Sequence, residues 1–133
     1  MTRGRVDYWY GILPGKTVLG PYQEPWFEWL KERIAANDTE DFNLYTVPAK
    51  YRLYLTGGSI SCQSPGINRF IIFNNYAVVL DIAYDQMQIL PITEGGPYIF
   101  EAGDVVRISI YNYDLRYGDF HLTLSGFREY LKL

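Results

Sequence analysis

The sequence is short of the side chains on which most enzymes depend. Its 133 residues include one histidine and one cysteine, whereas acid–base, nucleophilic and metal-assisted chemistry need several such groups close together. His121 is interpreted as a surface residue on the polar side of a strand, and Cys62 as a small buried apolar residue that has no partner for an internal disulfide. We therefore expect a protein that is not an enzyme and has no cofactor and no metal.

The carboxylates suggest two sites, and neither is favoured. Asp114 and Asp119 flank a loop and, with Asn112, could supply oxygen ligands to calcium, but such side chains more often bond their own loop backbone. A glycosidase would need two carboxyl groups on either side of one bond, and the sequence pairs none. The glutamates considered for that role are Glu94, Glu101 and Glu129.

Clusters of basic residues and long apolar runs are also missing. The formal net charge is −3, and the basic residues form no cluster larger than a pair such as Arg3 and Arg5. A nucleic-acid partner is not expected, because phosphate binding requires a clustered basic surface. The chain has no run near 18 apolar residues, and its amino terminus lacks the apolar segment of a signal peptide. Neither a membrane partner nor secretion is therefore expected.

Aromatic residues, in contrast, are abundant. They make up 17% of the chain, with 13 tyrosines, 7 phenylalanines and 3 tryptophans. Tyrosine combines a rigid apolar ring with a polar tip, which suits surfaces that contact proteins or sugars. Tyrosine also favours strands, so an aromatic contact surface and a strand-rich composition both remain open.

From residue 42 onward the pattern is typical of short strands separated by turns. Val106, Ile108 and Ile110 alternate with more polar residues, which predicts a strand with one buried face. The same alternation returns at Phe120 and Leu122 after a loop, which predicts an antiparallel pair. Turn signals recur about every ten residues, so residues 42–133 are predicted to form an all-β, antiparallel β-sandwich of about eight strands. These strands are predicted at residues 44–47, 51–62, 67–73, 77–84, 87–91, 98–100, 105–112 and 120–126.

Residues 1–41 are predicted to form an extended arm used in assembly. Prolines and glycines interrupt regular structure there, yet the segment is too apolar for a disordered tail. Residues 25–37 carry the spacing and end charges of one short amphipathic helix, which would have to dock either on its own sheet or on another subunit. The predicted contact residues of the arm are Tyr8, Trp9, Tyr10, Trp26, Phe27, Trp29 and Leu30.

The loop before the last strand is predicted to be an exposed tip. Exposed tyrosine rings beside arginine are typical of sugar sites on β-sandwiches. The candidate ligand-binding residues of this tip are Tyr111, Tyr113, Arg116 and Tyr117.

Two stretches resemble the jelly-roll structural proteins of tailed-phage virions. YTVPAKYRLYLTGGSIS, which begins at Tyr45, is similar to the opening strands of that group. IFEAGDVVRISIYNYD, followed by HLTLSGF, is similar to its closing strands, and the likeness extends to Phe127. The sequence departs from the group at Lys50, where the tight turn usually has glycine. The motifs describe strands and turns, so no functional residue carries over.

The resemblance implies a jelly-roll-like sandwich and a role in a virion. A non-enzymatic structural protein is expected, which assembles through its arm as a capsid decoration or cement protein, a head fibre, or a neck or tail component. Its partners would be other virion proteins and copies of itself in a homo-oligomer. Synthesis in the host cytoplasm and a final location in the virion are expected. A carbohydrate- or receptor-binding β-sandwich module is the alternative.

Overall fold

The computed structural model describes residues 20–63, 67–92 and 96–132, and it is all-β over these ranges. The predicted all-β class is therefore confirmed. Nine strands are described: β1 Gln23–Ile34, β2 Asp38–Thr46, β3 Tyr51–Cys62, β4 Ile67–Asn74, β5 Ala77–Asp85, β6 Met87–Ile89, β7 Tyr98–Phe100, β8 Val105–Asn112 and β9 Gly118–Tyr130.

The strands form two antiparallel sheets that face each other. Sheet 1 has the order β1–β9–β3–β6, and β7 also pairs with β3. Sheet 2 has the order β2–β8–β4–β5. The apolar residues predicted to point inward from β8 and β9, including Ile108 and Leu122, are at most 1% exposed. The core therefore lies between the two sheets, as the alternation predicted.

The predicted helix at residues 25–37 is wrong, because most of this segment forms β1. Trp26 and Ile34 are buried and Leu30 is half-buried, while Phe27 and Trp29 between them are exposed. Residues four apart lie on one face of a strand as well as of a helix, so the apolar stripe fitted both structures. Pairing with β9 along the whole of β1 decides between them, since a helix of about eleven residues is marginal on its own.

The described part of the predicted arm consequently belongs to the sandwich. Residues 23–34 pair with β9 in sheet 1, and residues 38–46 pair with β8 in sheet 2. Asn37 lies between them with φ 53°. Residues 1–19 lie outside the described residues, so Tyr8, Trp9 and Tyr10 as contact residues of an arm remain a prediction.

The turn after β2 has Lys50 at the position where the resemblance leads one to expect glycine. Lys50 has φ 68°, a left-handed conformation that costs a residue with a Cβ atom roughly 1–2 kcal/mol. The Lys50 carbonyl accepts a hydrogen bond of 2.7 Å from the Leu131 backbone N–H. This contact fastens the end of the chain to the turn.

Strand β3 contains one extra residue beside the middle of β9. The pairing passes from Ser125 opposite Gly57 to Gly126 opposite Leu55, and Thr56 is skipped. The backbones approach so closely at this bulge that a Cβ atom on Gly126 would lie 1.9 Å from the Tyr54 carbonyl oxygen. A side chain at position 126 cannot fit without moving β3.

We expect Gly126→Ala to lower the free energy of unfolding by more than about 2 kcal/mol, because overpacking against backbone cannot relax by a rotamer change. Urea denaturation at constant m-value measures the loss. Gly57→Ala is the matched control across the same bulge, since its Cβ atom would meet Ser125 Oγ at an ordinary 3.4 Å. Equal losses in the two variants would contradict this account.

Candidate interaction surface

The outer face of sheet 1 has a floor made of small residues. In β9 and β3 every second side chain points away from the core, so Ser125 lies opposite Gly57 and Thr123 opposite Ser59. Ser61 continues the same row. All five residues are half-buried. The centre of this face is therefore low and carries short hydroxyl side chains.

Large apolar side chains rise on both sides of this floor. On β1, Phe27 and Trp29 lie opposite Ser125 and Thr123, and they are 61% and 65% exposed. On the other side, the β6 residues Met87 and Ile89 are 61% and 68% exposed. Ile89 lies opposite Ser59 and Met87 opposite Ser61. The backbones of β1 and β6 are three strand spacings apart, about 14 Å.

We call this surface the outer trough, with Gly57, Ser59, Ser61, Thr123 and Ser125 as its floor and Phe27, Trp29, Met87 and Ile89 as its walls. One end is closed by Tyr54 and Phe127, whose rings stack with centroids 4.6 Å apart. The other end is charged, since the Arg33 Nε donates to Asp119 Oδ1 at 2.9 Å. This hydrogen bond holds the pKa of Asp119 below its usual value.

The predicted contact residues of β1 divide between two environments. Phe27 and Trp29 lie together on the outer trough and are exposed, and their role as contact residues stays a prediction. Trp26 is 7% exposed and packs on Tyr45 of the opposite sheet, with ring centroids 5.2 Å apart. Leu30 also packs against the core. A period of two, applied to the sequence of this segment, would have assigned Phe27 and Trp29 to one face and Trp26 and Leu30 to the other.

One buried side chain, Asn112, holds the tip loop through hydrogen bonds. Asn112 is fully buried, and its Nδ2 lies 3.1 Å from the carbonyl oxygens of Ile34 and Ala35 and 2.9 Å from that of Arg116. Its Oδ1 accepts a hydrogen bond from the Asp114 backbone N–H at 3.0 Å. Asn112 thus fixes both the loop and the turn that joins the two sheets.

The predicted ligand residues of the tip contact arginines of both sheets. The Tyr111 and Tyr113 rings lie 5.9 Å apart, and the Arg69 guanidinium of sheet 2 lies 5.2 Å from the Tyr111 ring centroid. The Tyr117 ring instead carries Arg33 of sheet 1, at 4.4 Å. The fourth predicted residue, Arg116, extends into solvent with its guanidinium 3.9 Å from Asp114. The Tyr111 and Tyr113 ring planes are tilted by 42° to each other, so these two rings do not form a flat stacking platform.

Reactive side chains are few in the described ranges. Cys62 is buried in the core, and His121 is exposed on the outer face of sheet 1 near the charged end of the outer trough, between Ser61 of β3 and Lys31 of β1. Within residues 20–63, 67–92 and 96–132, no three histidine, cysteine or carboxylate side chains are grouped so that they could hold a metal ion. The same ranges contain no helix long and apolar enough to cross a bilayer.

The chain has only weak similarity to known proteins. No family model matches the chain, and no curated protein matches it. Among solved structures, the chain is similar to one described as "Cyanophage Pam1 capsid asymmetric unit", with 9% identity over 95% of this chain and 99% of that chain and a TM-score of 0.45. A TM-score of 0.45 does not establish a shared fold or role.

We expect Asn112→Ala to lower the free energy of unfolding by about 2–3 kcal/mol, because it leaves buried carbonyl groups without their donor. Thermal and urea unfolding measure the change. Asn43→Ala, on the exposed side of β2, is the control and should stay within about 0.5 kcal/mol of the original. If the two variants unfold alike, Asn112 does not hold the tip.

A second prediction concerns Tyr84, whose buried hydroxyl has no hydrogen-bond partner among the described residues. Burial raises the pKa of Tyr84 above its ordinary value near 10. The free energy of unfolding is therefore unaffected by the ionisation of Tyr84 below about pH 10. It falls as the pH rises further, because only the unfolded chain ionises readily there.

Tyr84→Phe should accordingly leave stability at pH 7 unchanged or raise it by about 1 kcal/mol, since an unpaired buried hydroxyl is removed. It should also reduce the fall in melting temperature between pH 9 and pH 11. Tyr76→Phe is the control, because Tyr76 is 86% exposed and should not change the alkaline profile. An unaltered profile for Tyr84→Phe would count against this assignment.

Proposed function

We propose that this protein is a non-enzymatic structural protein of a virion, which assembles with other virion proteins and with copies of itself. The observation that carries the proposal is the outer trough. Two aromatic and two aliphatic side chains, each more than 60% exposed, form its walls. Large exposed apolar side chains grouped on one face and rimmed by polar residues mark interaction surfaces.

The order of the strands supports a jelly roll as the finer description of the sandwich. With β6 and β7 taken as one interrupted strand, each sheet has four strands. Chain neighbours β1 and β2 lie in different sheets, as do β3 and β4 and also β8 and β9. Strands that alternate between two sheets in this way are expected of a double Greek key. The resemblance of Tyr45–Phe127 to jelly-roll virion proteins supports the same description.

Within a virion, the proposed role is decoration or cementing of the capsid, or a place in the neck or tail. Each of these positions repeats one protein around a symmetry axis, so one apolar surface is used many times. The non-enzymatic part of the proposal rests on the single histidine and the single buried cysteine.

The carbohydrate- or receptor-binding alternative gains less from the geometry. Its candidate rings, Tyr113 and Tyr117, contact arginines of different sheets. The tip is well ordered by Asn112 but offers no pair of coplanar rings to a sugar. We therefore keep assembly as the proposal.

Replacing Phe27 and Trp29 together by serine should weaken self-association by about 100-fold or more, because large aromatic side chains dominate interface energies. Light scattering coupled to gel filtration, over a range of concentrations, should show a lower mass than for the original chain. The melting temperature should change little, since both side chains point away from the core.

Trp26→Ala is the matched control on the same strand. It removes a buried ring, so it should lower the free energy of unfolding by about 3–5 kcal/mol. An original chain that stays monomeric at every concentration and binds no other virion protein would contradict the proposal. So would an unchanged mass for the double serine variant.

A further inference from the structure

The outer trough has the width of one extended polypeptide. Its walls stand on strands about 14 Å apart, and its floor of short side chains leaves room between them. The N–H and C=O groups of β9 face β1 and β3 on either side, so an occupant of the trough cannot pair with them. It must bind through its side chains, and the walls require those side chains to be large and apolar.

One part of this chain has the required composition. Five large apolar residues fall within residues 8–13, namely Tyr8, Trp9, Tyr10, Ile12 and Leu13. Residues 8–13 themselves carry no charge, so their fit to the trough rests on their large apolar side chains.

The point of attachment gives this segment its reach. Gly20 is joined to the start of β1 by a turn in which the Gln23 N–H donates to the Gly20 carbonyl at 3.1 Å. The Tyr130 N–H donates to the Tyr22 carbonyl at 2.9 Å, which fixes this turn at the Tyr54 and Phe127 end of the trough. The seven residue steps from Leu13 to Gly20 span up to about 24 Å when extended, so residues 8–13 are not confined to the trough of their own copy.

We propose that residues 8–13 of one copy lie in the outer trough of a second copy. The large apolar side chains of the segment pack over Thr123 and Ser59, between Trp29 on one wall and Ile89 on the other. Phe27 and Met87 flank this position at opposite ends of the trough. The choice of a second copy rests on the proposed function. The identity of segment and receiving surface rests on the apolar composition of the segment, its point of attachment and the width of the trough.

Photo-crosslinking in the full chain tests this directly. Trp9 is replaced by p-benzoylphenylalanine, copies with light and heavy isotopes are mixed, and crosslinked peptides are mapped by mass spectrometry. The expected result is heavy–light crosslinks from position 9 to the walls of the trough, with the Met87 peptide prominent. The double serine variant at positions 27 and 29 should reduce their yield at least fivefold.

The same probe at position 113 is the control, since the tip should not reach the trough. If Trp9 cannot be replaced without loss of the folded protein, the probe at position 10 serves instead, because its side chain belongs to the same segment. Crosslinks confined to single copies, or crosslinks to surfaces outside the trough, would overturn the inference.

The mass of the same sample separates this inference from the proposed function. An oligomer whose crosslinks lie outside the trough leaves the assembly proposal intact and refutes the role of residues 8–13. A chain that is monomeric at every concentration and binds no other virion protein refutes both.

Discussion

Strand β9 pairs along almost its full length with two neighbours at once, and the rest of the structure depends on this double pairing. Leu122 lies opposite Leu30 of β1 and Ile60 of β3, so three strands contribute one apolar layer to the core. The register of β9 also aligns the outward residues of the same strands. A shift by one residue would exchange the two faces, burying the serines and exposing the leucines. The core and the outer trough are therefore set by the same hydrogen bonds.

The double pairing of β9 explains why some aromatic residues of β1 are buried and others are exposed. Trp26 and Phe27 are adjacent in sequence, yet one is part of the core and the other is exposed beside Ser125. The hydrophobicity of the two residues is similar, so composition cannot separate their roles. Their alternate positions along a paired strand separate these roles.

The sequence predicts local features well and long-range ones poorly. The alternation in β8 and β9 follows from neighbouring residues, and the structure has it. The helix expected at residues 25–37 failed because a stripe with spacing of four also fits a strand, and only the distant β9 resolves it. The outer trough could not be predicted at all, because its walls come from β1 and β6, which never pair with each other. The role of Asn112 likewise requires carbonyl groups almost 80 residues away.

The low floor of the outer trough can change during evolution without a change in the core. Ser59, Ser61, Thr123 and Ser125 point away from the core, so a larger or smaller residue at any of them alters the shape offered to a partner without disturbing the packing between the sheets. Selection for a new partner can therefore act on these four positions independently of selection for folding. Related chains should diverge fastest there while keeping the buried leucines that alternate with them.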